Sequence, residues 1–196
     1  MRRADLERDA AICRSMAADL NAYLQKDILY WALSDPGPRS SPYPQLTLGG
    51  LLMRLHHLQV LQDRLSPAAY ETFARAREST EQTFGNWRVH LENKLLSELR
   101  ARIRAWSFFV ADCAEERRGC QDDYPTQAEV RTMAALLLDR AAGVRGAGQL
   151  QGQLHGLDRR LRDITETGPF VWDPLFEAAY PPDPFWWLYA NVIEQR

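Results

Sequence analysis

Apolar residues recur at helical spacing along most of this chain. Cys13, Met16, Leu20, Leu24 and Ile28 stand three or four apart and predict a first helix from about Ala4 to Leu33. The run DPGPRSSPYP, Asp35 to Pro44, contains four prolines and a glycine, which excludes a regular helix and predicts an ordered crossover or an exposed loop. Thr47 is placed to cap a second helix whose stripe is Leu48, Leu51, Leu55, Leu58, Leu61 and Leu65. Ser66 followed by Pro67 opens a third, with the serine as cap and the proline at the first helical position. Its apolar positions continue through Phe73, Phe84, Leu91, Leu99, Trp106 and Cys113, and Gly119 offers the stop. Unbroken, such a helix would have about 50 residues and be roughly 75 Å long, more than the diameter of a compact domain this size. A kink near Gly85, between Ser79 and Asn86, is the expectation; the alternative is a protruding helix that packs on a second subunit.

Beyond RGCQDDYP, Thr126 and Glu129 make a capping-box pattern ahead of Val130, Met133 and Leu137, predicting a fourth helix to about Ala142. GVRGAG interrupts the pattern. Leu150, Leu154, Leu157, Leu161 and Ile164 then alternate spacings of four and three, a fifth helix that Gly168 ends. The tail differs: 8 of the chain's 20 aromatic residues lie between Phe170 and Tyr189, among Pro174, Pro181, Pro182 and Pro184. Prolines at that density allow only short turns, so the rings are expected to lie over apolar surface. The predicted fold is all-α and single-domain over residues 1–196. It comprises a bundle of about five helices in 1–168 and an aromatic clasp in 169–196 packed on it.

Composition supports this reading. Leu occurs 26 times and Ala 24 times against 20 for Val, Ile and Thr together, which favours helix over strand. A net charge of −2 provides no global field for nucleic acid or an anionic membrane, so an electrostatic site must be a local patch. The charged N-terminus MRRADLERDAA lacks a signal-peptide core, and no stretch has membrane-spanning character. The three cysteines, Cys13, Cys113 and Cys120, are odd in number and form no CxxC, which suits a reducing compartment and places the protein in the cytoplasm.

Catalytic chemistry finds little support. No His has a Glu three residues before it, as di-metal bundles require, and a metal site would need His57, His90 and His155 to converge from different helices. The segment TLGGLLMRLHHLQVL, Thr47 to Leu61, resembles the His-bearing second helix of DinB-type bundles. That resemblance implies a pair of histidines one turn apart on a later helix, which has no counterpart here, because the positions one turn either side of His155 are Gln151 and Arg159. Cys113 falls on an apolar stripe and reads as a small buried hydrophobe, while Cys120 reads as a loop cysteine with no histidine in local reach. GVRGAGQ lacks the Lys and Ser/Thr of a phosphate-binding loop, and no cofactor is predicted. Gly49 and Gly50, in the first turn of the second helix, expose amides that an anion or a packed backbone can use.

Two features remain. Arg100 and Arg104 share a helical face while Arg102 points away, and Arg159, Arg160 and Arg162 lie on the fifth helix. Arg88 with Glu92, and Glu98 with Arg102, are spaced to pair on a solvated face. Anion or RNA binding through Arg100, Arg104 and Arg159 is therefore one reading. In the other, Trp172, Phe185, Trp186, Trp187 and Tyr189 either roof the bundle or anchor a protein partner or second copy. The sequence points to a noncatalytic interaction or assembly protein, with a metal-dependent bundle enzyme and an RNA- or phosphate-binding protein as the alternatives.

Overall fold

The computed structural model describes residues 5–193, apart from the side chain of Arg118. Among these residues are six α-helices: α1 Leu6–Leu24, α2 Leu48–Val60, α3 Pro67–Asn86, α4 Arg88–Glu115, α5 Arg117–Arg140 and α6 Ala147–Arg162. Two short strands, β1 Thr165–Thr167 and β2 Ala190–Val192, accompany them, so the predicted helical class holds with one small β-ribbon added. The chain forms two compact units, one of Asp5–Glu98 and one that begins at Leu99.

In the first unit the Asp5 carboxylate caps α1 by accepting from Arg8 N (2.9 Å); the expected start at Ala4 lies outside the described residues. Cys13, Met16, Leu20 and Leu24 are buried as the stripe predicts. The helix stops at Leu24, not Leu33, and Ile28 is exposed. Past this point the backbone finds other partners: the Tyr23 hydroxyl donates to Leu29 O (3.0 Å), and the Lys94 ammonium to Ile28 O (2.7 Å) and to Lys26 O. Carbonyls satisfied from outside have no need of a further helical turn.

The proline-rich connection is an ordered crossover. Ser15 Oγ donates to Asp35 O (2.5 Å), and the Arg8 guanidinium donates to Ser41 O (2.9 Å) and Pro42 O (3.0 Å). Gly37 has φ +73°, and a Cβ there would stand 2.7 Å from the Tyr43 ring, so only glycine fits. Thr47 caps α2 as predicted, accepting from Gly50 N (3.0 Å). Ser66 caps α3, and its own N–H and hydroxyl donate to the Glu7 carboxylate (3.0 Å each), which sets the beginnings of α1 and α3 at the same end.

The long third helix is two helices. Trp87 leaves helical geometry (φ −119°, ψ 36°), one residue beyond the window in which the kink was expected. The exposed Gly85 and Asn86 just before it are weak helix formers with no packing to hold a further turn. A second break, at Glu116 (φ −134°, ψ 94°), separates α4 from α5.

In the second unit RGCQDDYP is not a loop but the opening of α5, with Pro125 inside the helix and no helix start at Thr126. Tertiary contacts override the local signals there. A Cys113–Cys120 disulfide spans the break, the Tyr124 hydroxyl donates to Trp187 O (2.8 Å), and Pro125 O accepts from the Trp172 indole (2.9 Å). The tail forms two 3-10 turns, Pro174–Ala179 and Trp186–Tyr189, and then β2, which pairs antiparallel with β1 so that Glu166 faces Asn191. Trp172, Tyr180, Phe185 and Trp187 follow one another edge to face, with centroids 5.1–5.6 Å apart.

Candidate functional site

Helical spacing brings part of the arginine set together within the second unit. On α4, Arg100, Ile103, Arg104 and Ser107 stand at i, i+3, i+4 and i+7 and share one face. On α6, Gln149, Gln153, Gly156 and Arg160 form a second stripe. The two stripes border a groove of about 670 Å³, to which Arg159, Leu150 and Leu157 also contribute. The four arginines are exposed, whereas Ile103 and Leu150 are buried and Leu157 is half-buried. The groove therefore has an apolar floor and cationic walls.

No His, Cys, Asp or Glu lines this groove among the described residues. None of the four guanidinium groups has an ion-pair or hydrogen-bond partner among them either. The acidic residue adjacent to Arg159 is turned inward: Asp158 is buried and accepts from Arg131 Nε (2.8 Å) and Nη2 (2.7 Å). Arg131 also lies 3.7 Å from the Trp187 ring centroid, and the Trp187 indole donates to Thr132 Oγ1 (2.9 Å). A buried pair thus removes the one carboxylate of α6 that sequence proximity would set beside the groove arginines. Arg160, named on the fifth helix but not placed with Arg100, Arg104 and Arg159 in the binding set, lines the groove too, and the two glutamines are groove residues that the sequence did not single out, although their shared stripe with Gly156 was available as a signal.

The other candidates take structural places. Trp172, Phe185 and Trp187 are in the core of the second unit, and Trp186 and Tyr189 are half-buried. Arg162 stacks on Trp186 at 4.2 Å. The tail roofs its own unit. His57 is fully buried with Nε2 2.9 Å from Asp9 Oδ2, and Asp9 also pairs with Arg54 (3.0 Å). His90 is exposed and meets Trp87 edge to face, and His155 is exposed on α6. Among the described residues no three or more His, Cys, Asp or Glu side chains are grouped to hold a metal ion.

Glu98 corrects the expectation of a solvated carboxylate. It is buried at 1% exposure and accepts from Leu48 N (2.7 Å) and Gly49 N (3.1 Å). The anion that the amides of α2 can take is thus supplied by the chain itself. Arg88 and Glu92 do pair at the surface (2.9 Å). Burial lowers the Lys94 pKa while Asp27 and Glu98 act against it, and its ammonium sits 4.5 Å from the Tyr23 ring centroid. Its carbonyl partners make it a tie between segments rather than a free nucleophile. Cys113 and Cys120 are disulfide-bonded, which removes the cysteine argument for a reducing compartment, and Cys13 is buried with its thiol pushed up to about 12 by desolvation.

No family model, curated protein or solved structure matches this chain. Among the described residues no helix is long and apolar enough to cross a membrane. The groove between α4 and α6 combines accessible cationic side chains with apolar ones from both helices.

Proposed function

We propose that this protein is a noncatalytic binding module that captures a negatively charged partner in the α4–α6 groove. The observation that carries this reading is the convergence of Arg100, Arg104, Arg159 and Arg160 on one concavity with no lining carboxylate among the described residues. Four guanidinium groups without a partner among the described residues repel one another, and an anionic ligand relieves that repulsion while gaining charge-assisted hydrogen bonds. No nucleophile or acid–base pair lines the groove: Ser107 is its only hydroxyl among the described residues, and it donates to Arg104 O (2.8 Å). Binding rather than turnover is what such a surface supports.

The test uses two labelled probes, an inorganic polyphosphate and an oligoglutamate, followed by fluorescence anisotropy at low and high salt. Binding of at least one, weakened steeply by salt and reduced at least about tenfold by Arg100→Ala with Arg159→Ala, is the expected outcome. Equal binding by the wild type and the double variant, or none to either probe, overturns the reading.

A further inference from the structure

We infer that the occupant of the groove is an acidic amphipathic helix presented by a partner protein. This rests on the anionic-partner reading above and adds the shape of the ligand. The groove extends along α6 from Gly146 to Arg160, which at the helical rise is about 21 Å, or four turns. Its floor is Ile103, Leu150 and Leu157, and apolar side chains at i, i+3, i+4 and i+7 of a docked helix can occupy a floor of that kind. The arginines rise from both bordering helices, so glutamates on either flank of the apolar stripe would meet a guanidinium. One wall is also low: Gly156 lines the groove, and a Cβ added there meets nothing within 4 Å. A third helix can therefore approach α6 closely and pack ridges into grooves.

The same lining argues against a nucleic-acid strand. Among the described residues no aromatic ring faces the groove, so bases would find cations for their phosphates but no stacking platform, and the half-buried Leu157 would be left uncovered. A small phosphate would use the arginines alone and leave the half-buried Leu157 in water.

The experiment measures anisotropy for three labelled probes on the full chain. They are an acidic Leu/Glu peptide of about sixteen residues with an amphipathic helical pattern, a scrambled peptide of identical composition, and a single-stranded RNA. The patterned peptide is expected to bind at least about tenfold more tightly than either of the others and to gain helical circular dichroism when bound. Gly156→Trp, which fills the groove without altering charge, should abolish that preference while binding of inorganic polyphosphate persists, and a thermal melt verifies that the variant is folded. Equal binding of patterned and scrambled peptides, tighter binding of RNA, or no effect of Gly156→Trp overturns the helix and leaves the anionic reading standing. Failure of all these probes and of polyphosphate removes both.

Discussion

Arg131 and Asp158 show how much a single buried residue can decide. The pair is bidentate, each partner is about 5% exposed or less, and the Trp187 ring covers the guanidinium. Removing one partner strands a buried charge, so Asp158→Ala should lower unfolding free energy by about 3–5 kcal/mol in urea titrations. Arg131→Met with Asp158→Leu should cost much less, because no orphaned charge remains. Neither residue was legible as core, since charged positions on α5 and α6 read as solvent-facing and only the fold places a partner opposite. Cys13, by contrast, was legible from its stripe. Its thiol, pushed up to about 12, is neutral in the folded protein where the unfolded chain already ionises. That contribution is fully present below about pH 9 and is lost as pH rises toward 12, with a slope near 1.4 kcal/mol per pH unit. Burial raises the Tyr124 pKa too, so Cys13→Ala should flatten, without abolishing, the alkaline fall in melting temperature.

Helix starts were more legible than helix ends. A cap is a local event: Thr47 and Ser66 each accept from an amide three residues on, and sequence alone located both. The start of α2 nevertheless has a second, distant support in Glu98, fifty positions away. The two differ in what their loss leaves behind. Thr47→Ala should cost about 1 kcal/mol, and Glu98→Ala about 2–4 kcal/mol, since it deprives two amides at a buried helix end of their charged acceptor. Comparable losses in denaturant melts would show the carboxylate to be incidental. The ends of α1 and α4, and the opening of α5 through Pro125, follow from tertiary bonds to Lys94, the disulfide and the aromatic tail, which helical periodicity does not encode. The β-ribbon escaped for a similar reason, because three-residue strands are too short to show alternation.

At the scale of the whole molecule, the net charge of −2 averages an accessible arginine groove with carboxylates placed elsewhere, some buried on amides and guanidinium groups. The disulfide is a further property of the whole chain. Without reductant, denatured protein should take up alkylating agent at Cys13 alone, and after reduction at all three cysteines. Reduction should lower stability by about 2 kcal/mol, the value for closing a short loop, and should leave Cys113→Ser with Cys120→Ser unaffected. Labelling of three cysteines before reduction would mean that the bond does not form. By itself the sequence determined the helical class, the apolar stripes, two caps and the helical faces of Arg100 and Arg104, because spacing along a helix is fixed by its geometry. Only the tertiary structure decided that Arg159 and Arg160 face them across a groove, that Asp158 and Glu98 turn inward, and that the aromatic tail roofs its own unit. Those outcomes depend on which faces meet, and contacts between residues distant in the chain are set by the packing of the whole.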